Sequence, residues 1–307
     1  MELDVPELVR QRALANGEAG RTWLDELPEV VATLTRRWGL ELGRPFRSGT
    51  AAYVVEAVDA HRNPCVLKVA MPLEMDDIAG FERSVIVHRL ADGRGCAELL
   101  DHDADRSAML LERLGPNLAD LNLSVPQILE VVATTLSSFW RPAPDDDRLP
   151  TGADKAAWLA AYITTTWSEL GEPCDRSVIA RAVAYCDERA DAYDATDAVL
   201  VHGDAHGWNT LRAPNGRFKF VDPEGVRSER THDLAVPMRE YNAPLLAGDT
   251  ARLVRERAEY LAGLCGVDPE PVWQWGFVER VSTGLANLRD FDDASGALFL
   301  AVAERSR

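Results

Sequence analysis

Val201-His202-Gly203-Asp204-Ala205-His206-Gly207-Trp208-Asn209, continued by Thr210-Leu211-Arg212, Pro214-Asn215-Gly216 and Phe218-Lys219-Phe220-Val221-Asp222-Pro223-Glu224, is the stretch whose reading decides the fold. Val199-Leu200-Val201, Thr210-Leu211-Arg212 and Phe218–Val221 are short apolar runs of strand type, and Pro214-Asn215-Gly216 is a hairpin turn. They form a β-type island among helical patterns at about 153–170, 175–193, 250–265 and 270–290. A hairpin inside a helical region suits loops that must be held still. Asp204 and Asn209 lie five apart and Asp222 sits on the return strand, so the layout can aim three polar side chains at one place.

Those three residue types divide a chemical task. Asn209 and Asp222 are hard oxygen donors that suit Mg²⁺, an ion that keeps bound phosphates as further ligands. Asp204 is then left to accept a hydrogen bond from a hydroxyl. Phosphoryl transfer from ATP uses an Asp and an Asn at this spacing in its catalytic loop. Three upstream features fit the same template. Lys68, in the strand Val66-Leu67-Lys68-Val69-Ala70, matches the strand lysine that holds phosphates, and Glu82, in the helix that follows, is placed to pair with it. Ser48-Gly49-Thr50 precedes the first strand, where a turn covering the phosphates belongs.

Outward from the island, the pattern divides the chain near residue 113. Leu27, Val30, Val31, Leu34 and Trp38 share one side of a helix expected over about 6–38. Residues 52–58 and 65–70 read as strands, 78–90 as a helix, and 97–100 and 108–112 as two more strands around an acidic turn at 101–105. Residues 1–113 therefore read as a helical segment plus a small antiparallel sheet with one helix packed on it. Residues 114–307 read as a mainly helical lobe that carries the catalytic hairpin, with a Pro- and charge-rich loop at 141–147.

Composition narrows the function. The 307 residues carry 33 Lys+Arg against 50 Asp+Glu, a formal net charge of −17, which disfavours nucleic acid and anionic membranes and leaves room for a cationic substrate. With 46% hydrophobic residues there is ample material for a core. The five cysteines are scattered with no CxxC pair, the pattern of free thiols in a reducing compartment. No secretory h-region and no membrane-length apolar run is visible, so a cytoplasmic protein is expected. Only three lysines occur, Lys68, Lys155 and Lys219, so a lysine inside an apolar strand asks why arginine would not serve there.

The chain resembles the kinase-like antibiotic phosphotransferases, in particular the streptomycin and hydroxyurea kinase group. The residues that carry the resemblance are 201–209 and Val221-Asp222-Pro223-Glu224. Beside them stand Arg47-Ser48-Gly49-Thr50-Ala51-Ala52, Ala70-Met71-Pro72, Leu99-Leu100-Asp101-His102-Asp103 and Leu110-Leu111-Glu112-Arg113-Leu114. His-Gly-Asp in place of His-Arg-Asp points to small-molecule kinases, and Asp-Pro-Glu in place of Asp-Phe-Gly to the streptomycin kinase type. The likeness is good over about 20–115 and 195–240 and fades over 120–195 and after 245. It implies a two-lobed, protein-kinase-like α+β fold with ATP in the interlobe cleft. It also implies Asp204 as catalytic base, Asn209 and Asp222 as Mg²⁺ ligands, and Lys68 on the ATP phosphates, held by Glu82. Ser48 and Gly49 would lie over the phosphates, and Glu112 to Leu114 would form the hinge that meets adenine. Glu224 would add a second-metal or supporting carboxylate, and Asp233 would hold the catalytic loop's backbone. The implied acceptor is a small molecule, best a cationic aminoglycoside. The segment 43–49 lacks the GxGxxG of protein kinases.

Other readings compete. His202, Asp204 and His206 could converge on one metal ion of a hydrolase, which leaves Lys68, Asn209 and the Asp222 hairpin unexplained. His202 and His206 otherwise read as structural histidines. Asp290, Asp292 and Asp293 read as a solvated helix face rather than as an acceptor site. The acceptor could be hydroxyurea, a sugar or another alcohol, and a nucleotide-binding module without turnover is the farther alternative.

Overall fold

The computed structural model describes residues 3–47, 49, 51–72, 77–291 and 294–306, with backbone alone at 77–79 and 291. Ser48 and Thr50, and the aspartates at 292 and 293, lie outside the described residues. The chain divides into two compact units, Met1–Gly115 with Ala213–Asn215, and Pro116–Arg212 with Gly216–Arg307.

The first unit contains α1 (Glu7–Ala15), α2 (Gly17–Trp38), β1 (Glu41–Pro45), β2 (Ala52–Val58), β3 (Pro64–Ala70), α3 (Asp77–Ala91), β4 (Leu99–Asp103) and β5 (Ala108–Glu112). The strands form one antiparallel sheet in the order β1-β2-β3-β5-β4, so β3 is central. Alternation along β3 sends Cys65, Leu67 and Val69 to one face, where Leu27, Val31 and Leu34 of α2 cover them. Val66, Lys68 and Ala70 take the other face, where Phe81 and Val85 of α3 pack on Met109, Leu111 and Ala70. Two helices thus sandwich the sheet, one more than the sequence pattern anticipates, because the apolar stripe of α2 needs a partner surface.

Three local differences have physical causes. The helix expected over 6–38 is two, divided at Gly17, which takes φ +67°. β4 runs to Asp103, past the expected start of the acidic turn, because the buried Asp103 carboxylate accepts from Arg37 (2.7 Å) and from the Arg106 side chain (3.0 Å) and N–H (3.1 Å). β1 is an edge strand, mostly exposed, and so lacks the alternation that betrays a half-buried strand.

The second unit contains α4 (Val125–Phe139), α5 (Gly152–Glu169), α6 (Arg176–Asp191), β6 (Val199–Val201), β7 (Thr210–Arg212), β8 (Phe218–Phe220) and β9 (Val226–Ser228). It continues with α7 (Arg230–Asp233), α8 (Ala235–Arg239), α9 (Asn242–Leu246), α10 (Thr250–Cys265), α11 (Pro269–Phe291) and α12 (Ser295–Arg305). Its centre is α11, whose Trp273, Trp275, Phe277, Val278, Val281 and Leu285 are buried. The island comprises two antiparallel pairs, β6 with β9 and β7 with β8. The start of α5 is fixed by a reciprocal cap: Asp154 N–H donates to Thr151 Oγ1 (3.0 Å) and Thr151 N–H to Asp154 Oδ2 (2.8 Å). None of the five cysteines is in a disulfide, and among the described residues no helix is long and apolar enough to cross a membrane.

Candidate active site

The loop between β6 and β7 is held from beneath. Asp233, fully buried at the end of α7, accepts at Oδ2 from His202 N–H (2.9 Å) and Trp140 Nε1–H (2.8 Å), and at Oδ1 from Gly203 N–H (2.8 Å). This is the backbone-holding role that the resemblance implied. Burial pushes the Asp233 carboxyl up to about 6, against the pull of those donors. His202 is also buried. Its Nδ1 accepts from Asp204 N–H (3.2 Å), so its proton sits on Nε2 and is donated to Val221 O (3.0 Å). Burial drives its pKa down to about 4. With both nitrogens engaged, His202 orients the loop and is not a metal ligand. Among the described residues no group of three His, Cys, Asp or Glu side chains is placed to hold a metal, and His202, engaged at both nitrogens, does not join Asp204 and His206 in the convergence that the hydrolase reading needs.

Asp204 is partly exposed, and its carboxylate is gripped from three directions. Asn209 Nδ2–H donates to Oδ2 (3.0 Å) and to the Asp204 carbonyl (3.1 Å). His206 Nδ1 accepts from Asn209 N–H (3.2 Å), which leaves Nε2 to approach Oδ2 at 3.2 Å. Arg239 Nη2 donates to Oδ1 (3.1 Å), while its Nη1 donates to the buried Glu279 (2.7 Å). Burial opposes ionisation of Asp204, yet the His206 hydrogen bond and the Arg239 charge hold its carboxyl well below the usual carboxylate range. Arg239 loses solvation on burial, but Glu279, Asp204 and Glu240 keep it charged. His206 is thus a member of the site as well as a loop-former. Arg239 and Glu279 have no sequence signal, since both lie outside every motif and only the packing of α8 on α11 brings them here.

The hairpin register sets the third residue. Thr210 pairs with Phe220, and Val221 N–H donates to Asn209 O (2.9 Å), so Asp222 follows immediately beyond Asn209's partner. Asp222 is exposed and takes φ +58°, a left-handed conformation that Asp tolerates better than most residues. Asn209 spends Nδ2 on Asp204, which leaves Oδ1 as the amide's ligating atom. One amide oxygen and one exposed carboxylate fit a hard cation that brings phosphate oxygens of its own, not a closed protein cage.

The remaining expected residues fall as follows. Glu224 is not free to serve a metal with both oxygens: its Oε2 accepts from Lys155 Nζ (2.8 Å), and its N–H donates to His202 O (2.8 Å). Burial disfavours the Lys155 ammonium, but the charges of Glu224 and Glu279 raise its pKa overall. Lys68 is half-buried in β3 opposite Val54 and Met109. Glu82 is exposed, one residue out of phase with Phe81, Ser84, Val85 and His88, which make the inner face of α3. Gly49 has room for a β-carbon, 3.8 Å from the nearest atom, so local packing does not demand glycine there. Glu112 ends β5, donating its N–H to Glu98 O (3.0 Å) and accepting at Oε1 from Glu98 N–H (2.8 Å), and Leu114 is buried.

The sheet unit and the helical unit with this loop-and-hairpin site define the class: a protein-kinase-like phosphotransferase fold. Solved structures with that fold include the aminoglycoside phosphotransferase APH(4)-Ia in complex with ADP and hygromycin B. It is 19% identical, with a TM-score of 0.59 over 89% of this chain and 97% of that one. Choline kinase LicA from Streptococcus pneumoniae is 12% identical, with a TM-score of 0.61 over 92% and 98%. More narrowly, the model of the aminoglycoside/hydroxyurea antibiotic resistance kinase family matches residues 37–290, and the chain belongs to that family of phosphotransferases. Relatives include streptomycin 6-kinase of Streptomyces griseus, 27% identical over 98% of this chain and 96% of that protein. Hydroxyurea phosphotransferase of Kitasatospora aureofaciens is 29% identical over 98% and 85%.

Proposed function

We propose that this kinase transfers the γ-phosphoryl group of ATP to a hydroxyl of a cationic small molecule, with an aminoglycoside of the streptomycin type as acceptor. The observation that carries the reading is the Asp204 carboxylate, partly exposed and held by Asn209, His206 and Arg239 in one orientation beside the Asp222 turn. Asp204 accepts the hydrogen bond of the attacking hydroxyl and aligns it. Its depressed pKa makes it a weak base, which suits a loose transition state in which the hydroxyl proton leaves late. Asn209 and Asp222 would hold Mg²⁺, which when bound neutralises phosphate charge. Lys68 offsets further charge on the phosphates, and the hinge at 112–114 meets adenine. Catalysis is then mainly positioning and electrostatic stabilisation.

The formal charge of −17 favours a cationic acceptor, as does the similarity to streptomycin 6-kinases. A second acceptor, hydroxyurea, is supported by the similarity to hydroxyurea phosphotransferase. ADP release with Mg·ATP against streptomycin, other aminoglycosides and hydroxyurea separates the two. Turnover on hydroxyurea alone would overturn the aminoglycoside reading, and turnover on none would overturn both.

A further inference from the structure

Two buried arginines, Arg257 and Arg280, converge on the short segment 238–242, which contains a third, Arg239. Arg280, on α11, donates Nη1 to Arg239 O (3.0 Å) and to Asn242 Oδ1, and Nη2 to Met238 O. Arg257, on α10, donates to Met238 O (3.2 Å) and to Glu240 O. Among the described residues neither guanidinium pairs with a carboxylate; both grip carbonyls at the end of α8, where a helix leaves its acceptors unpaired. The third arginine is Arg239 itself, whose backbone is gripped while its side chain turns between Glu279 and Asp204.

Close packing makes this possible. A β-carbon on Gly276 would stand 2.6 Å from Met238 Cβ, so glycine at that position lets α8 lie directly on α11. Glu279 is three residues further along α11 and Arg239 one residue beyond Met238, so the approach at Gly276 brings the two side chains together. Their contact is 2.7 Å, with 13% and 7% of the side chains exposed. The planar guanidinium then presents its other amino group to Asp204 Oδ1.

We infer that Arg239 is a positioning residue for the reaction: anchored by Glu279, it fixes the rotamer of Asp204 so that the carboxylate meets the acceptor hydroxyl in line with the phosphoryl group. The inference rests on the reading of Asp204 as the hydroxyl-orienting carboxylate. In this role Arg239 would act through Asp204 and not by contact with either substrate. Lysine cannot replace it fully, because a point charge cannot bridge two carboxylates in fixed geometry.

The test is a double-variant series read as ADP release with Mg·ATP and streptomycin, and as slow ATP hydrolysis by water in the same variants. Arg239→Gln should lower kcat roughly 10- to 100-fold with KM for Mg·ATP within about threefold, and Arg239→Lys should recover part of the loss. Asp204→Ala with Arg239→Gln should turn over within about twofold of Asp204→Ala alone. In a crystal structure of Arg239→Gln the Asp204 side chain should leave its present rotamer. Should Arg239→Gln fail to fold, Glu279→Gln and Arg239→Lys carry the same pattern at smaller amplitude. Additive losses in the double variant, a change confined to KM, or an unmoved Asp204 rotamer would overturn the inference alone. Full turnover by Asp204→Ala would overturn the reading of Asp204 and the inference with it.

Discussion

Gly203 and Glu224 are in such close contact that a β-carbon on Gly203 would stand 2.9 Å from Glu224 Cβ. Gly203 also has φ +87°, a conformation that side-chain-bearing residues rarely adopt. The glycine of His-Gly-Asp and the glutamate of Asp-Pro-Glu are therefore one steric unit, tightened by the Glu224 N–H donating to His202 O.

Gly203→Ala should for this reason cost both fold and turnover. Backbone strain of about 1–3 kcal/mol adds to the clash, so the thermal midpoint falls by several degrees. Glu224→Gly in the same chain relieves the contact but leaves the strain. A melt in which Gly203→Ala matches the unaltered protein would contradict this packing.

Asp233→Asn should loosen the same loop from below. Three N–H groups converge on the two carboxylate oxygens, and an amide offers one oxygen and turns an N–H₂ towards a donor. A loss of about 2–4 kcal/mol is expected in urea unfolding, with a fall in turnover. Unchanged stability would mean that the loop is held elsewhere.

Much of this site is legible in the sequence, and the reason is locality. Asp204, Asn209 and Asp222 lie on one loop and hairpin whose turn and strand signals are short-range, and Asp233 follows at the end of α7, just past β9. The Lys68 strand is plain because β3 is central and alternates. Arg239 and Glu279 are invisible by contrast, because they meet only where α8 crosses α11, 40 residues apart in sequence.

Glu224 and Asp222 should separate in their demand for metal. Glu224 is tied to Lys155 at 2.8 Å, whereas Asp222 directly follows Val221, whose N–H donates to Asn209 O. Asp222→Asn should raise the Mg²⁺ concentration for half-maximal turnover by roughly tenfold or more. Glu224→Gln should leave it within about threefold. An equal shift in both variants would make Glu224 a ligand.

His232 gives a pH signature. Its ring stacks on Trp275 at 4.2 Å, and neither ring nitrogen has a hydrogen-bond partner among the described residues. Burial, with a lesser push from the Lys155 charge, lowers its pKa to about 3. The unfolded chain takes up this proton near pH 6.5 and the folded chain near 3. The stabilisation is thus complete above 6.5 and drains away as pH falls towards 3, and His202, at about 4, acts with the same sign. His232→Phe keeps the stack and removes one titration. Its stability at pH 7 should equal or exceed that of the unaltered protein, and the drop from pH 6.5 to 4.5 should be shallower by about 2 kcal/mol. Parallel slopes in urea titrations would contradict it.

The most direct test of the proposed chemistry is ADP release with Mg·ATP and streptomycin, comparing the unaltered protein with Asp204→Ala. Turnover should fall by roughly a thousandfold in the variant while ATP affinity stays within about threefold, as expected of a group that acts on the hydroxyl and not on the nucleotide. Undiminished turnover in Asp204→Ala, or an equal loss of ATP affinity, would contradict it.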